Sequence, residues 1–241
     1  MVLEQSEMKE NAGKAAVDAL IRDGVKVGLG TGSTAITVVQ YIGLLLAQGK
    51  LKNISAVTTS LQTEMECEKW NIPTYSLNSR HIGGSLDVAI DGADQIDSHH
   101  FCVKGGGGAL LMEKIVAYSS TIFALVVDET KLVEHLGLTF PVAVEVIPSA
   151  RVSVCKALDR LQGKGVVRLA VRKAGPVITD HGNIILDTLF QQPIYPAVME
   201  EEINCIPGVM ENGLFAKKGP HVFVARADGT VEARDYPPQQ S

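Results

Sequence analysis

KVGLGTGSTAITVVQYIGLLLAQ, Lys26–Gln48, is the stretch that decides the fold class. It begins as a short β-like run, KVGLG (Lys26–Gly30), and then changes period. Apolar residues at Ile36, Val39, Ile42 and Leu46 predict a helix over Ser33–Gln48. Between the two lies GLGTGSTA (Gly28–Ala35), rich in glycine and hydroxyls, at the strand-to-helix junction where α/β sheets bind ligands. The same rhythm continues downstream. ISAVTT (Ile54–Thr59) reads as a strand and Leu61–Trp70 as a helix; DVAID (Asp87–Asp91) and TIFALVVD (Thr121–Asp128) read as further strands. Alternating strand and helix implies right-handed crossovers and a largely parallel sheet. The β-branched run TIFALVV suits a strand buried on both faces. The expected fold is therefore α/β, a Rossmann-like, mostly parallel sheet with helices on both faces.

After Pro141 the pattern changes. VAVEVI (Val142–Ile147) reads as a strand, and Ser149–Leu161 as a helix with Ser149 as its N-cap. GVVRLAV and NIILDTLF flank the turn-rich KAGPVITDHG, and a helix is expected over Pro196–Asn204. Strand–helix–strand–strand–helix is the order of a split βαβ unit, so a smaller α+β, ferredoxin-like domain is expected over residues 141–214. Residues 1–140 and 215–241 would form the larger domain. In the tail, HVFVARADGTVEARD carries an Asp228–Gly229 hairpin signal and is expected to return to the first sheet. No internal repeat and no low-complexity segment interrupts this plan.

Composition narrows the function. The 241 residues are 46% hydrophobic and 20% charged, ordinary for a globular protein. A net charge of −5 without any basic run argues against a nucleic-acid surface. An anionic ligand would have to be held by a few local cations and by backbone dipoles. No apolar run approaches the roughly 18–20 residues of a membrane span. The N-terminus is polar and acidic, unlike a signal or transit peptide. Cys67, Cys102, Cys155 and Cys205 stand far apart, as free thiols of a reducing compartment do, and the expected setting is the cytoplasm.

Four turns carry the chemistry. In KGGGGALLMEK (Lys104–Lys114) a cation precedes four glycines, and a helix with one carboxylate, Glu113, follows. Such a turn presents free backbone N–H groups to an anion. Alone it would read equally well as a surface loop; two other anion-type turns at strand ends weigh against that. GTGSTA meets the loose dinucleotide pattern, but Thr58, Thr59 and Ser60 stand where a ribose-binding acid would be wanted. Thr31, Gly32, Ser33 and Thr34 suit a small phosphorylated ligand better than a nucleotide. DGADQID (Asp91–Asp97) brackets a turn with Asp91 and Asp94. It reads as a local Asx turn or as a site for sugar hydroxyls and proton transfer, and His99 and His100 give no convincing metal spacing. VVDETK (Val126–Lys131) places Lys131 after another strand, either solvated or completing a cationic ring with Lys104.

Taken in order, GTGSTA, DGADQID, KGGGGALLMEK, VDETK and VEVIP resemble the A-type ribose-5-phosphate isomerases, and the match continues more loosely through GNIILD, INCIPGV and GLFA. TTS at Thr58–Ser60 replaces a more serine-rich segment, and the fourth glycine stands where Ala is common. The resemblance implies an aldose–ketose isomerase interconverting D-ribose 5-phosphate and D-ribulose 5-phosphate through an enediol(ate), in the non-oxidative branch of the pentose phosphate pathway. It implies Glu113 as the proton-shuttling base, Lys104 as the oxyanion partner, and Asp91 and Asp94 as acid–base and hydroxyl-binding groups. Thr31, Gly32, Ser33, Thr34, Asp91, Gly92, Ala93, Asp94, Lys104, Gly105, Gly106, Gly107 and Lys131 would contact the pentose 5-phosphate. No metal and no organic cofactor is expected, and no nucleic acid or membrane. The expected assembly is a homodimer or homotetramer. Two other classes share the broad architecture. A sugar-phosphate sensor would want a DNA-binding helix-turn-helix that some 24 N-terminal residues cannot supply, and a coenzyme A transferase would form a glutamyl thioester with acyl-CoA.

Overall fold

The computed structural model describes residues 3–235. In chain order the elements are α1 (Gln5–Leu20), β1 (Lys26–Leu29), α2 (Ser33–Ala47), β2 (Ser55–Thr58), α3 (Leu61–Lys69), β3 (Leu86–Asp91), β4 (Gln95–Ile96) and β5 (Cys102–Val103). There follow α4 (Leu110–Tyr118), β6 (Ser120–Asp128), β7 (Val142–Val146), α5 (Arg151–Arg160), β8 (Gly163–Val167) and β9 (Ile184–Phe190). The chain then runs through α6 (Pro196–Asn204), β10 (Val209–Asn212), β11 (Leu214–Phe215), β12 (His221–Ala225) and β13 (Val231–Arg234). They fall into two compact units.

The first unit comprises the chain as far as Ala93, Met112–Lys131 and the chain from Lys218. Its six-stranded sheet has the order β13-β12-β6-β3-β1-β2. Every neighbour pair is parallel except β12–β13. The apolar strands do what their composition asks: Val27, Leu29, Val88, Ile90, Ala124 and Val126 are buried in one core with Ala12, Ala16 and Val17 of α1 and Val38, Val39 and Ile42 of α2. The buried stripe of α2 is rotated from the expected one, taking in Ala35, Val38 and Gly43 and leaving Ile36 and Leu46 half-buried. Gly43 on that face leaves room for the Trp70 side chain, 2.6 Å from where a Cβ would stand, and Gly13 of α1 does the same for Thr37 at 2.7 Å. The tail returns to this sheet as β12, parallel to β6, and β13 folds back on it through a turn closed by Arg226 N–H to Thr230 O at 2.9 Å.

The second unit comprises Asp94–Leu111 and Leu132–Lys217. Its four-stranded antiparallel sheet, ordered β10-β7-β9-β8, carries α5 and α6 in βαββαβ sequence, the split arrangement expected from the strand and helix order. Val142, Val144, Val146, Val154, Leu158, Leu186 and Ile203 fill its core. A three-stranded sheet, β11-β5-β4, belongs to the same unit.

Three local expectations differ from the structure. The glycine-rich segment groups with the second unit rather than the first, because β5 pairs with β11, Lys104 N–H bonds Gly213 O at 2.8 Å, and Leu110 packs on Ala143 and Ile185. Ser149 does not cap α5. Pro148, with its fixed φ and no N–H, opens a 3₁₀ turn over Pro148–Ala150, so Ser149 lies inside that turn and α5 starts at Arg151. The strand read over GVVRLAV runs instead over Gly163–Val167, because the segment beyond folds on itself, with Ala170 N–H to Gly175 O at 3.1 Å and Val177 N–H to Arg168 O at 2.9 Å.

Candidate active site

In the first unit the turn after β1 is built around a carboxylate. Asp91 ends β3, is only 4% exposed, and accepts hydrogen bonds at Oδ1 from Thr31 N–H (3.2 Å) and Gly92 N–H (2.7 Å). Gly30 makes room for it: a Cβ there would lie 2.0 Å from the Asp91 carboxyl. Gly92 in turn lies over Thr34, so the TGST and DGA turns meet. Gly32, at φ +99°, is the N-cap of α2 and offers no side chain to the first-turn amides. Those N–H groups, with the hydroxyls of Ser33 and Thr34, are chemically able to accept an anion. Lys9 of α1 adds a cation, its Nζ donating to Ser33 Oγ at 3.0 Å.

The hydroxyls of Thr59 and Ser60, which stand where a ribose-binding acid would be wanted, are spent on the turn itself. Thr31 Oγ1 is 2.7 Å from both, and Thr63 Oγ1 donates to Gly30 O at 2.7 Å. Ser60 also caps α3. Their effect is to fix the rotamer of Thr31.

Glu113 sits in the first turn of α4 and is 4% exposed, with Lys114 beside it equally buried. Lys131 ends the 3₁₀ turn Glu129–Lys131 after β6 and is half-buried. That turn is well anchored. Asp128 accepts from Thr130 N–H (3.0 Å) and Gln5 Nε2 (3.1 Å). Glu129 accepts from Ala227 N–H (2.9 Å) and Arg226 (3.1 Å), which hold its carboxyl below the usual carboxylate range.

In the second unit, Asp94 Oδ2 accepts the Gly106 N–H at 2.8 Å and so braces the glycine loop. Gly105 has φ +107°, a left-handed conformation that suits glycine, and Gly108 N–H closes the loop on Gly105 O at 3.0 Å. Lys104 is 3% exposed, its Nζ 5.6 Å from the centre of the Phe215 ring. Asp97, the last acid of DGADQID, caps the next turn through His99 and Phe101 N–H groups at 2.9 Å, and burial pushes its carboxyl up. Among the described residues no cluster of three or more His, Cys, Asp or Glu could hold a metal ion.

Arg168 was invisible to sequence reasoning. It reaches the glycine loop from beyond β8, donating from NH1 to Gly105 O (2.8 Å) and Gly106 O (3.2 Å). Lys9 and Lys114 were missed too; a cation on an amphipathic helix carries no signal of its own. Clefts of about 590 and 540 Å³ are lined by other parts of the molecule, α5 with α6 and the β2–Tyr75 region.

A profile of the family described as "Ribose 5-phosphate isomerase A (phosphoriboisomerase A)" matches residues 55–229. The chain is 50% identical over 239 residues to ribose-5-phosphate isomerase A of Treponema pallidum, covering 96% of this chain and 94% of that one. It is 48% identical over 237 residues to the same enzyme of Treponema denticola, covering 95% and 99%. A solved D-ribose-5-phosphate isomerase in complex with phospho-erythronic acid superposes with TM-score 0.92 at 40% identity, covering 97% of this chain and 100% of that one. Ribose 5-phosphate isomerase A of Methanocaldococcus jannaschii gives 0.89 at 41% identity, covering 96% and 99%.

Proposed function

The chain belongs to the ribose 5-phosphate isomerase A family, and from that premise we propose how its residues divide the reaction. It is an aldose–ketose isomerase that interconverts D-ribose 5-phosphate and D-ribulose 5-phosphate. In the open aldehyde form, Glu113 takes the proton from carbon 2, leaving an enediolate. The hydroxyl proton of oxygen 2 moves to oxygen 1, Glu113 returns its proton to carbon 1, and the carbonyl now at carbon 2 makes the ketose. One carboxylate can serve both carbons because they are neighbours. The observation that carries this role is a carboxylate buried in the first turn of a helix that follows four glycines.

Lys104 meets the charge that develops on the carbonyl oxygen; a buried, preorganised cation does this without reorganising solvent. Asp91 and Asp94 take sugar hydroxyls and assist opening of the furanose. Thr31, Gly32, Ser33 and Thr34 receive the phosphate on uncapped amides and hydroxyls, with Lys9 adding charge. Gly92, Ala93, Gly105, Gly106 and Gly107 offer backbone to the sugar, and Lys131 binds a group that does not react. The isomerisation involves no net redox change and so calls for no redox cofactor, and with Glu113 as base and Lys104 on the oxyanion the proposed mechanism uses no metal. We further propose a homodimer or homotetramer in the cytoplasm, acting in the non-oxidative pentose phosphate pathway. Sedimentation of the purified chain tests the assembly.

The deciding experiment is conversion of ribose 5-phosphate by the purified protein with nothing added. Wild type forms the ketose; Glu113→Gln binds substrate and fails to turn it over. Turnover by Glu113→Gln within a few-fold of wild type moves the base elsewhere.

A further inference from the structure

We propose that Arg168 and Asp187 form a positioning pair that sets the peptide plane of the glycine loop, aiming the Gly107 N–H at the reacting oxygens. Three faces of one guanidinium are used. Nε and NH2 grip the Asp187 carboxylate as a fork, with Nε to Oδ2 at 2.9 Å and NH2 to Oδ1 at 2.5 Å. NH1 is left for two successive carbonyls, Gly105 O and Gly106 O. The pair is largely shielded, with side chains 16% and 27% exposed. Such a planar fork fixes direction as well as distance, which a lysine cannot do.

The consequence follows from peptide geometry. The chain has no cis bond among its described residues, so each C=O points opposite to the N–H of the next residue. Gly106 N–H is held by Asp94 and Gly108 N–H by Gly105 O. Holding Gly106 C=O on Arg168 turns the Gly107 N–H away from the guanidinium, and no protein acceptor takes that N–H among the described residues. A glycine peptide is soft; without Arg168 the plane can rotate and the donor is lost. Arg168 therefore acts through Gly107, as a preorganised oxyanion donor requires. Asp187, on β9, keeps the arginine fork from swinging away.

This inference rests on the reading that the glycine loop contacts the substrate. Steady-state kinetics on Arg168→Ala, Arg168→Lys and Asp187→Asn test it, together with inhibition by phospho-erythronate, whose carboxylate resembles the enediolate oxygens. Arg168→Ala should lower kcat about 10- to 100-fold with KM within about threefold, the size of a small misplacement of a catalytic group. Inhibition should weaken by the same factor as kcat/KM, because the donor acts on the developing charge rather than on the ground state. Added methylguanidinium should restore part of the lost kcat. Asp187→Asn should lose less than Arg168→Ala. If Arg168→Ala does not fold, Arg168→Lys carries the test and should show the same split. Wild-type kcat in a folded Arg168 variant, a loss confined to KM, or equal weakening of substrate and inhibitor would overturn the proposal. Glu113→Gln assayed alongside separates the two readings: activity in that variant with loss in Arg168→Ala removes the base assignment and leaves the positioning pair standing.

Discussion

At Gly30 a single hydrogen atom decides the site. A Cβ there would sit 2.0 Å from the Asp91 carboxyl, so Gly30→Ala must push β3 or the TGST turn aside. Its activity should fall steeply and its Tm should drop, checked by assay and calorimetry on one preparation; wild-type values in both would mean the Asp91 turn is softer than described. Lys104 and Lys131 make a sharper contrast. Lys104, buried, is assigned to the transition state, so Lys104→Ala should lower kcat by about 10²–10³-fold, the loss typical of one oxyanion donor. Lys131→Ala should chiefly raise KM, since a group binding an unreactive part of the substrate acts equally in ground and transition states. If both variants change only KM, the oxyanion is held by loop amides and the role given to Lys104 is wrong.

Among the elements, the β12–β13 hairpin has a titration of its own. Glu232 accepts hydrogen bonds from Arg234 and Arg226, which hold its carboxyl down at about 2 against its ordinary 4.5. A depressed carboxyl pKa contributes stability that is present above the unfolded value and disappears as the pH falls through the folded one. The hairpin should therefore loosen between about pH 4.5 and 2, and Glu232→Gln should flatten that part of the Tm–pH curve. The effect should be small, because the pair is exposed and screened. A curve with the wild-type acid slope in the variant would show that Glu232 is not the titrating group. The hairpin also anchors the Lys131 turn through Arg226 and Ala227 on Glu129, a link between a tail element and the cation proposed to bind substrate.

For the molecule as a whole, the parallel sheet and the βαββαβ unit were legible because strand runs such as TIFALVV and helix periods such as Val39–Ile42 are local signals. The candidate residues in TGST, DGAD and KGGG stand out in the sequence because glycines, acids and hydroxyls cluster there at strand ends. Arg168 does not, because its meaning lies in contacts with Gly105 and Gly106, more than 60 positions away. Nor does the allegiance of the glycine loop, which is set by contacts with distant segments: β5 with β11, and Leu110 with Ala143 and Ile185. A chain of net charge −5 that binds a phosphate ester through few cations should lose affinity as salt is added, with KM rising and kcat steady. It should also keep its activity after exhaustive chelation; loss with EDTA and rescue by one divalent ion would recast Asp91 and Asp94 as ligands. The most direct test is Glu113→Gln measured two ways on one sample. Turnover of ribose 5-phosphate should fall by about 10²–10⁴-fold while ribose 5-phosphate still binds within a few-fold of wild type. Turnover near the wild-type rate with substrate bound normally would contradict the assignment of Glu113 as the base.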